Sequence, residues 1–283
     1  MPSVDGWIDG LLFVAKALAP LLLPFLFFGV LERLAPAGPL KSAQGWWLNL
    51  RLMLVYLSIP TMLGVWIKAL VAEGRHYGGG VLWDAAPFVY PAGLFAMIGG
   101  CLLTIVIWDF FYYWWHRAQH SWGLLWRVHS LHHMDETLGV STTMRVHWLE
   151  EIGRTATIFL PMAFLFNLPV HAGFIAVVAT FWTAFIHANL RLHFGWASLL
   201  VAGPQVHRIH HSRLKIHHDR NFAAFFPVWD RLFGTYHHPA PGEFPPTGVD
   251  GQEEVRSVWE AVTLPFRRQR SAVEPPARAP SPA

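Results

Sequence analysis

Apolar residues fall into four long blocks along the chain, with short polar stretches between them. Leu11 to Leu31 carries one charge, Lys16. Trp46 to Leu70 keeps Arg51 and Lys68 near its ends, and Phe88 to Trp108 has no charge at all. A helix needs about 20 mostly apolar residues to cross a bilayer core, so these blocks predict three spanning helices. Pro20, Pro24, Pro60 and Pro91 lie in or beside them, where spanning helices tolerate proline better than soluble ones do. The fourth block, Thr155 to Ile186, is interrupted by Asn167-Leu168-Pro169. It predicts two short helices forming a hairpin, spanning or re-entrant. The first block is preceded by Asp5 and Asp9 rather than basic residues and lacks a clear small-residue cleavage site, so it is expected to be retained. From Arg267 the chain reads RRQRSAVEPPARAPSPA, a Pro/Ala-rich tail expected to be disordered.

Composition sharpens this picture. Of 283 residues, 53% are hydrophobic and 14% charged, against about 25% charged in soluble domains. An ordinary soluble enzyme and a disordered chain are thereby excluded. A single cysteine, Cys101, rules out an intrachain disulfide and any multi-cysteine metal site. The net charge, 21 − 18 = +3, comes without the basic, aromatic-interleaved helix that nucleic acid would require. Arg33, Lys41 and Arg51 flank the first loop, whereas Lys68 and Arg75 balance Glu73 and Asp84 in the second. Arg117, Arg127, Arg145 and Arg154 follow the third block. The positive-inside bias then puts the N-terminus outside and the segment after the third span in the cytoplasm. The hairpin returns the chain to the same side.

Histidine is the chemical signal. Fourteen of the 17 histidines lie between residues 116 and 218. They begin with an i, i+4 pair, His116 and His120. His129-Ser-Leu-His132-His133 follows, and His207-Arg-Ile-His210-His211 repeats its spacing. Residues three and four apart share a helix face, so each cluster can aim its rings at one point. His132 and His133, like His210 and His211, are about 100° apart on a helix, and one of each pair can reach a neighbouring metal. Imidazole suits Fe, Zn, Cu and Ni. Eight histidines exceed the shell of one ion, and His187, at the end of the hairpin, makes nine. No Glu-x-x-His pair occurs between 116 and 218, so a carboxylate-bridged di-iron bundle does not fit; an all-histidine dimetal centre does.

His147 and His193 are possible additional ligands or near-site residues. Asp109, seven residues before His116 on the same helix face, is expected to support a ligand, since ligating histidines usually donate their second N–H to an acceptor. Glu150, Asn189, Asn221 and Asp230 are weaker candidates for that role. His217-His218 and His237-His238 lie in polar loops and read as solvated surface, with a zinc site as the other reading. His76 and His171 are set aside.

These residues resemble the fatty acid hydroxylase / sterol desaturase superfamily of membrane non-haem di-iron enzymes. The matching stretches begin with Asp109-Phe-Phe-Tyr-Tyr-Trp-Trp-His116-Arg-Ala-Gln-His120 and Leu125-Trp-Arg-Val-His129-Ser-Leu-His132-His133. They continue with Thr143-Met-Arg-Val-His147-Trp-Leu-Glu150 and Phe185-Ile-His187-Ala-Asn189. Pro204-Gln-Val-His207-Arg-Ile-His210-His211-Ser, Asn221-Phe and Trp229-Asp-Arg-Leu-Phe-Gly-Thr-Tyr236 complete the set. The resemblance implies an all-α integral membrane fold with about four transmembrane helices, three spans plus the hairpin, under a cytoplasmic histidine-rich cap. It implies membrane anchor helices over 1–108, a catalytic domain over 109–240 with the hairpin at 155–186, and a C-terminal extension over 241–283. The implied metal ligands are His116, His120, His129, His132, His133, His187, His207, His210 and His211, holding two iron ions. Zinc is able to occupy the same ligands in purified protein.

The implied reaction is O2-dependent hydroxylation or desaturation of a C–H bond in a membrane lipid such as a fatty acyl chain or sterol. No Gly-rich dinucleotide fingerprint is present in these residues, so electrons are expected from a separate partner: a cytochrome b5-like protein, a ferredoxin or a reductase. Two departures from the family pattern, Trp148 in place of proline and Ala223 in place of glycine, touch segments that shape the substrate pocket. Two other readings use the same histidines: a dizinc membrane hydrolase acting on a lipid ester, and a non-catalytic metal-binding or transport protein. Scarce carboxylates weigh against the first, and nearly charge-free spans against transport.

Overall fold

The computed structural model describes residues 22–76, 83–84, 93–167 and 172–267. The start of the first apolar block, most of the second loop, the tip of the expected hairpin and the Pro/Ala-rich tail lie outside these residues. A helix, α1, covers 22–34. Helix α2 runs over Ala43–His76, and the Ser42 hydroxyl accepts the Gly45 N–H in its first turn, 3.1 Å. Helix α3 is Gly93–Ser121. Its 29 residues span about 44 Å, longer than the roughly 30 Å hydrocarbon core. The last turns, bearing His116 and His120, therefore extend beyond a stretch long enough for a span. Among the described residues it is the one helix long and apolar enough to cross a membrane, and only 22% of its most apolar window is buried. A soluble-core helix would bury most of that window.

A single extended residue, Trp122 (φ −111°, ψ 117°), separates α3 from α4, Gly123–His133. The hairpin limb starts earlier than its apolar block. It comprises α5 (Trp148–Arg154), a π turn (Thr155–Phe159) and α6 (Leu160–Leu165). The limb ends in β2, Phe166–Asn167, which pairs in parallel with β1, Trp83–Asp84. Helix α7, Ala172–His187, returns toward the cap. Within the described residues, α6 with six residues and α7 with 16 are shorter than the roughly 20 residues a span needs. The boundary expected at residue 108 falls inside α3, which continues unbroken into the cap.

The cap is completed by α8 (Pro204–His210), α9 (Val228–Leu232) and α10 (Val258–Thr263). Buried polar anchors tie it to the first helices. Glu32 on α1 accepts the N–H groups of Val140, 2.6 Å, and Asn189, 2.9 Å. Lys41 pairs with the buried Asp135, which also accepts from Thr142, 2.8 Å, and Asn49 on α2, 3.4 Å. Arg145 is wholly buried. Its guanidinium donates to the Leu131 carbonyl, 2.9 Å, and pairs with Glu254, 3.3 Å, so it is an internal strut rather than a loop charge. Beneath the histidines, Trp108, Trp115, Ile158, Ile186, Ala224 and Phe225 form an apolar core. Gly153 lets α5 approach α3 closely, because a Cβ there would overlap the Trp115 indole.

Candidate dimetal centre

Four elements bring nine histidines together. α3 supplies His116 and His120, α4 supplies His129, His132 and His133, α7 ends in His187, and α8 with its C-cap supplies His207, His210 and His211. They divide into two groups of convergent ring nitrogens. One holds His116, His120, His129, His133 and His210; the other holds His132, His187, His207 and His211. Each adjacent pair is split, His133 and His210 going to the first group and His132 and His211 to the second. The 100° step between neighbours on a helix causes this division.

The Nε2 atoms face one another. In the first group they lie 3.1 Å apart for His116 and His129, and 3.2 Å for both His120–His133 and His133–His129. In the second group the separations are 3.0 Å for His132–His187, 2.9 Å for His207–His187 and 3.2 Å for His211–His207. Ligands about 2.1 Å from a metal and at right angles sit about 3.0 Å apart, so the spacing is that of a coordination shell.

The opposite ring nitrogens determine the tautomers. His116 Nδ1 donates to the Phe222 carbonyl, 2.7 Å, and His210 Nδ1 to the Arg220 carbonyl, 2.8 Å. His132 Nδ1 donates to the Arg145 carbonyl, 3.2 Å, and His187 Nδ1 to the Thr183 carbonyl, 2.7 Å. A carbonyl only accepts, so each Nδ1 carries the hydrogen and each Nε2 presents a lone pair. His129 Nδ1 faces Glu150 Oε2 at 3.1 Å, and Gln119 donates to the same oxygen at 2.7 Å. Burial would raise the Glu150 carboxyl, but His129 and Gln119 hold it below the usual range, so it too accepts. Lone pairs thus oppose lone pairs at His116–His129 and His132–His187. His210 Nε2 is buried without a hydrogen-bond partner. A cation among these atoms removes both costs, and the residues fit two metal ions.

Burial, and then repulsion from neighbouring imidazoles, pushes His132, His133, His207 and His211 well below the usual histidine range. Burial lowers His210 to about 3. Neutral imidazole is the form that binds metal.

Several candidates lie apart from the rings. His147 Nδ1 accepts the Leu149 N–H at 3.2 Å and caps α5, while its Nε2 donates to the Val262 carbonyl, 3.2 Å. His193 bonds Gln205, 2.6 Å. Neither belongs to either group. Asp109 bonds no imidazole. Its carboxylate accepts the N–H groups of Ala224, Phe225 and Phe226 at 2.8–3.0 Å. It therefore anchors the loop whose Phe222 carbonyl orients His116. Asp230 does the same one step earlier, accepting from Phe222 and Ala223. Asn221 spans that loop to α8 and to the His237 backbone. Asn189 bonds Gly38, Pro39 and Arg208. Of the supporting residues expected, Glu150 alone meets a ligand ring.

Sequence reasoning missed Gln119, Glu32 and the four orienting carbonyls; the carbonyls have no side-chain signal to read. The αL conformations of Asp219 (φ 57°) and Asn221 (φ 59°) shape the 219–222 loop, and Asn and Asp tolerate that region. The solvated reading holds for His218 and His238, which are exposed, but His217 is buried.

Residues 101–235 match the sequence model of the family described as Fatty acid hydroxylase. Ornithine lipid hydroxylase OlsE of Rhizobium tropici is 32% identical over 169 residues, covering 59% of this chain and 50% of that protein. Human alkylglycerol monooxygenase is 35% identical over 132 residues, covering 45% of this chain and 28% of its own. Protein CER1-like 2 of Arabidopsis thaliana is 31% identical over 138 residues, covering 45% and 22%. The chain thus spans half or less of the length of these relatives. No solved structure matches it.

Proposed function

We propose that this chain is a membrane-bound di-iron oxygenase of the fatty acid hydroxylase / sterol desaturase superfamily, a reading supported by the match of residues 101–235 to the Fatty acid hydroxylase family. It hydroxylates, or desaturates, a lipid C–H bond with O2 and electrons from a separate protein. The observation that carries this reading is the division of nine buried histidines into groups of five and four with convergent Nε2 atoms. When bound, two iron ions supply the O2 reduction and C–H oxidation that no side chain can perform.

The chain's own contribution is geometry and exclusion of water. The carbonyls of Phe222, Arg220, Arg145 and Thr183 and the Glu150 carboxylate hold five rings by Nδ1, keeping Nε2 directed inward. Below them, Trp108, Ile186 and Phe225 form a dry wall. An apolar groove of about 730 Å³ lies between α1 and α7, with Leu23, Phe27, Val30 and Phe181 among its lining. Phe181 lies six residues before His187 on α7, about 9 Å along the axis. An acyl chain in the groove therefore has the ligand-bearing end of α7 within reach.

Large apolar side chains stand exposed on three helices: Leu26 and Phe27 on α1, Met62 and Trp66 on α2, Leu94 and Phe95 on α3. This supports the multi-pass reading, since a soluble monomer rarely exposes such a surface. Arg117 and Arg127 beside the cap support a cytoplasmic site and a docking face for the electron donor.

Expression of the full chain in a lipid-rich host, followed by mass spectrometry of extracted lipids, tests the proposal. A shift of +16 or −2 is expected, absent in a His132→Ala/His210→Ala control. Shifts that persist in that control overturn the histidine-site assignment. Turnover of the purified protein with reduced nicotinamide alone overturns the separate donor.

A further inference from the structure

A second constellation lies outside the nine histidines. His217 ends a short 3-10 turn, Lys215–His217. His237 and Glu243 come from the segment following α9. Their ligating atoms lie within 4.8 Å of one another. Glu243 Oε1 sits 3.0 Å from His217 Nε2 and 3.2 Å from His237 Nε2. The two rings meet edge to face at 4.8 Å between centroids. Two imidazole nitrogens thus converge on one carboxylate oxygen at the spacing of donors around a single ion.

The surroundings are built for this. The Glu243 turn is closed by the Ala240 N–H, which donates to Oε2 at 2.8 Å. Gln205 clamps the turn onto α8 by donating to the carbonyls of Ala240 and Glu243, both 2.9 Å. The His237 N–H donates to Asn221 Oδ1, 2.8 Å. His217 Nδ1 lies 2.9 Å from Ser212 Oγ. That oxygen already accepts the Leu214 N–H and has a lone pair left for Nδ1–H, which frees Nε2 to ligate. The turn also buries the wrong residue for a purely apolar purpose. His217 is 3% exposed while its neighbour Ile216 is 71% exposed, and burying an imidazole is favourable only where its nitrogens have partners.

We propose that His217, His237 and Glu243 hold a third divalent cation, separate from the dimetal centre. Two imidazoles and one carboxylate with an open position are a zinc donor set. The ion pins the Lys215–His217 turn to the 237–243 segment. Between them lies the 219–222 loop, whose carbonyls orient His210 and His116. The site therefore braces the dimetal centre from outside.

The test is metal stoichiometry of the full chain in detergent, equilibrated with zinc, dialysed and analysed by mass spectrometry. The wild type is expected to hold three ions per chain. Glu243→Gln and His237→Ala are each expected to hold two, and His132→Ala/His210→Ala to retain the third. Zinc should also raise the thermal midpoint of the last variant but not of His132→Ala/His210→Ala/Glu243→Gln. Equal metal content in the wild type, Glu243→Gln and His237→Ala means a hydrogen-bonded triad only and overturns the proposal. So does a zinc-dependent midpoint that survives Glu243→Gln in that background.

Discussion

The imidazoles of His133 and His211 stack at 4.3 Å between centroids, with 16° between their planes, yet they belong to different metal groups. The stacked pair is the wall between the two candidate ion sites. Each ring comes from a His-His pair whose other member faces the opposite group, so the two candidate ion sites are built from interleaved histidines.

Interleaving predicts that neighbouring substitutions empty different sites. His133→Ala is expected to empty the five-histidine group first, and His132→Ala the four-histidine group. Iron analysis should fall from two ions toward one in each variant, while lipid oxidation falls by more than about 100-fold in both. Retention of two irons in either variant contradicts the ligand assignment.

Glu150→Ala removes the acceptor that orients His129 Nδ1 and leaves Gln119 without its partner. Loss of such a supporting group typically weakens metal affinity by about 10–100-fold. Competition with a chelator measures this, and Glu150→Asp should recover only part of the affinity.

Asp109→Asn leaves one oxygen and one NH2 facing three backbone N–H donors. The expected cost is about 1–3 kcal/mol, read as a lower thermal midpoint in detergent. Iron retention should fall too, because the same loop presents the Phe222 carbonyl to His116. An unchanged midpoint argues against Asp109 as the anchor of that loop.

Gly153→Ala should destabilise, although alanine is the better helix former by about 1 kcal/mol. The added methyl overlaps the buried Trp115 indole, and overpacking costs about 1–3 kcal/mol. Trp115→Phe in the same background should restore part of the loss, which a thermal melt of the double variant checks.

Lys41→Met strands a buried Asp135 carboxylate. Removing one partner of a buried pair costs about 3–5 kcal/mol. Adding Asp135→Asn should recover part of that, since Thr142 and Asn49 still supply hydrogen bonds there. Equal stability of the single and double variants sinks the pairing argument.

Much of the site was written in local spacing. An i, i+4 pair and two H-x-x-H-H runs dictate which rings share a helix face, because 3.6 residues per turn is a local property. The apolar block ending at Trp108 likewise sufficed to place a long helix under the first pair, since its composition leaves it no polar face. The apolar segments before and after 168–171 were legible as helices, but not the earlier start of the first at Trp148, because Glu150 and Glu151 interrupt the apolar pattern there. They are tolerated because Glu150 meets His129 and Gln119, and Glu151 meets Tyr56, across the fold, with Arg154 pairing to Glu151 along the same helix.

Tertiary structure decided everything that depends on two elements meeting. It decided which member of each His-His pair joins which group, since both directions are open to an isolated helix. It supplied the carbonyls that set the tautomers, which belong to the backbone and leave no trace in residue identity. It redirected Asp109 from a ring to a loop. It also drew His217, His237 and Glu243 to one point, three residues whose spacing along the chain carries no period.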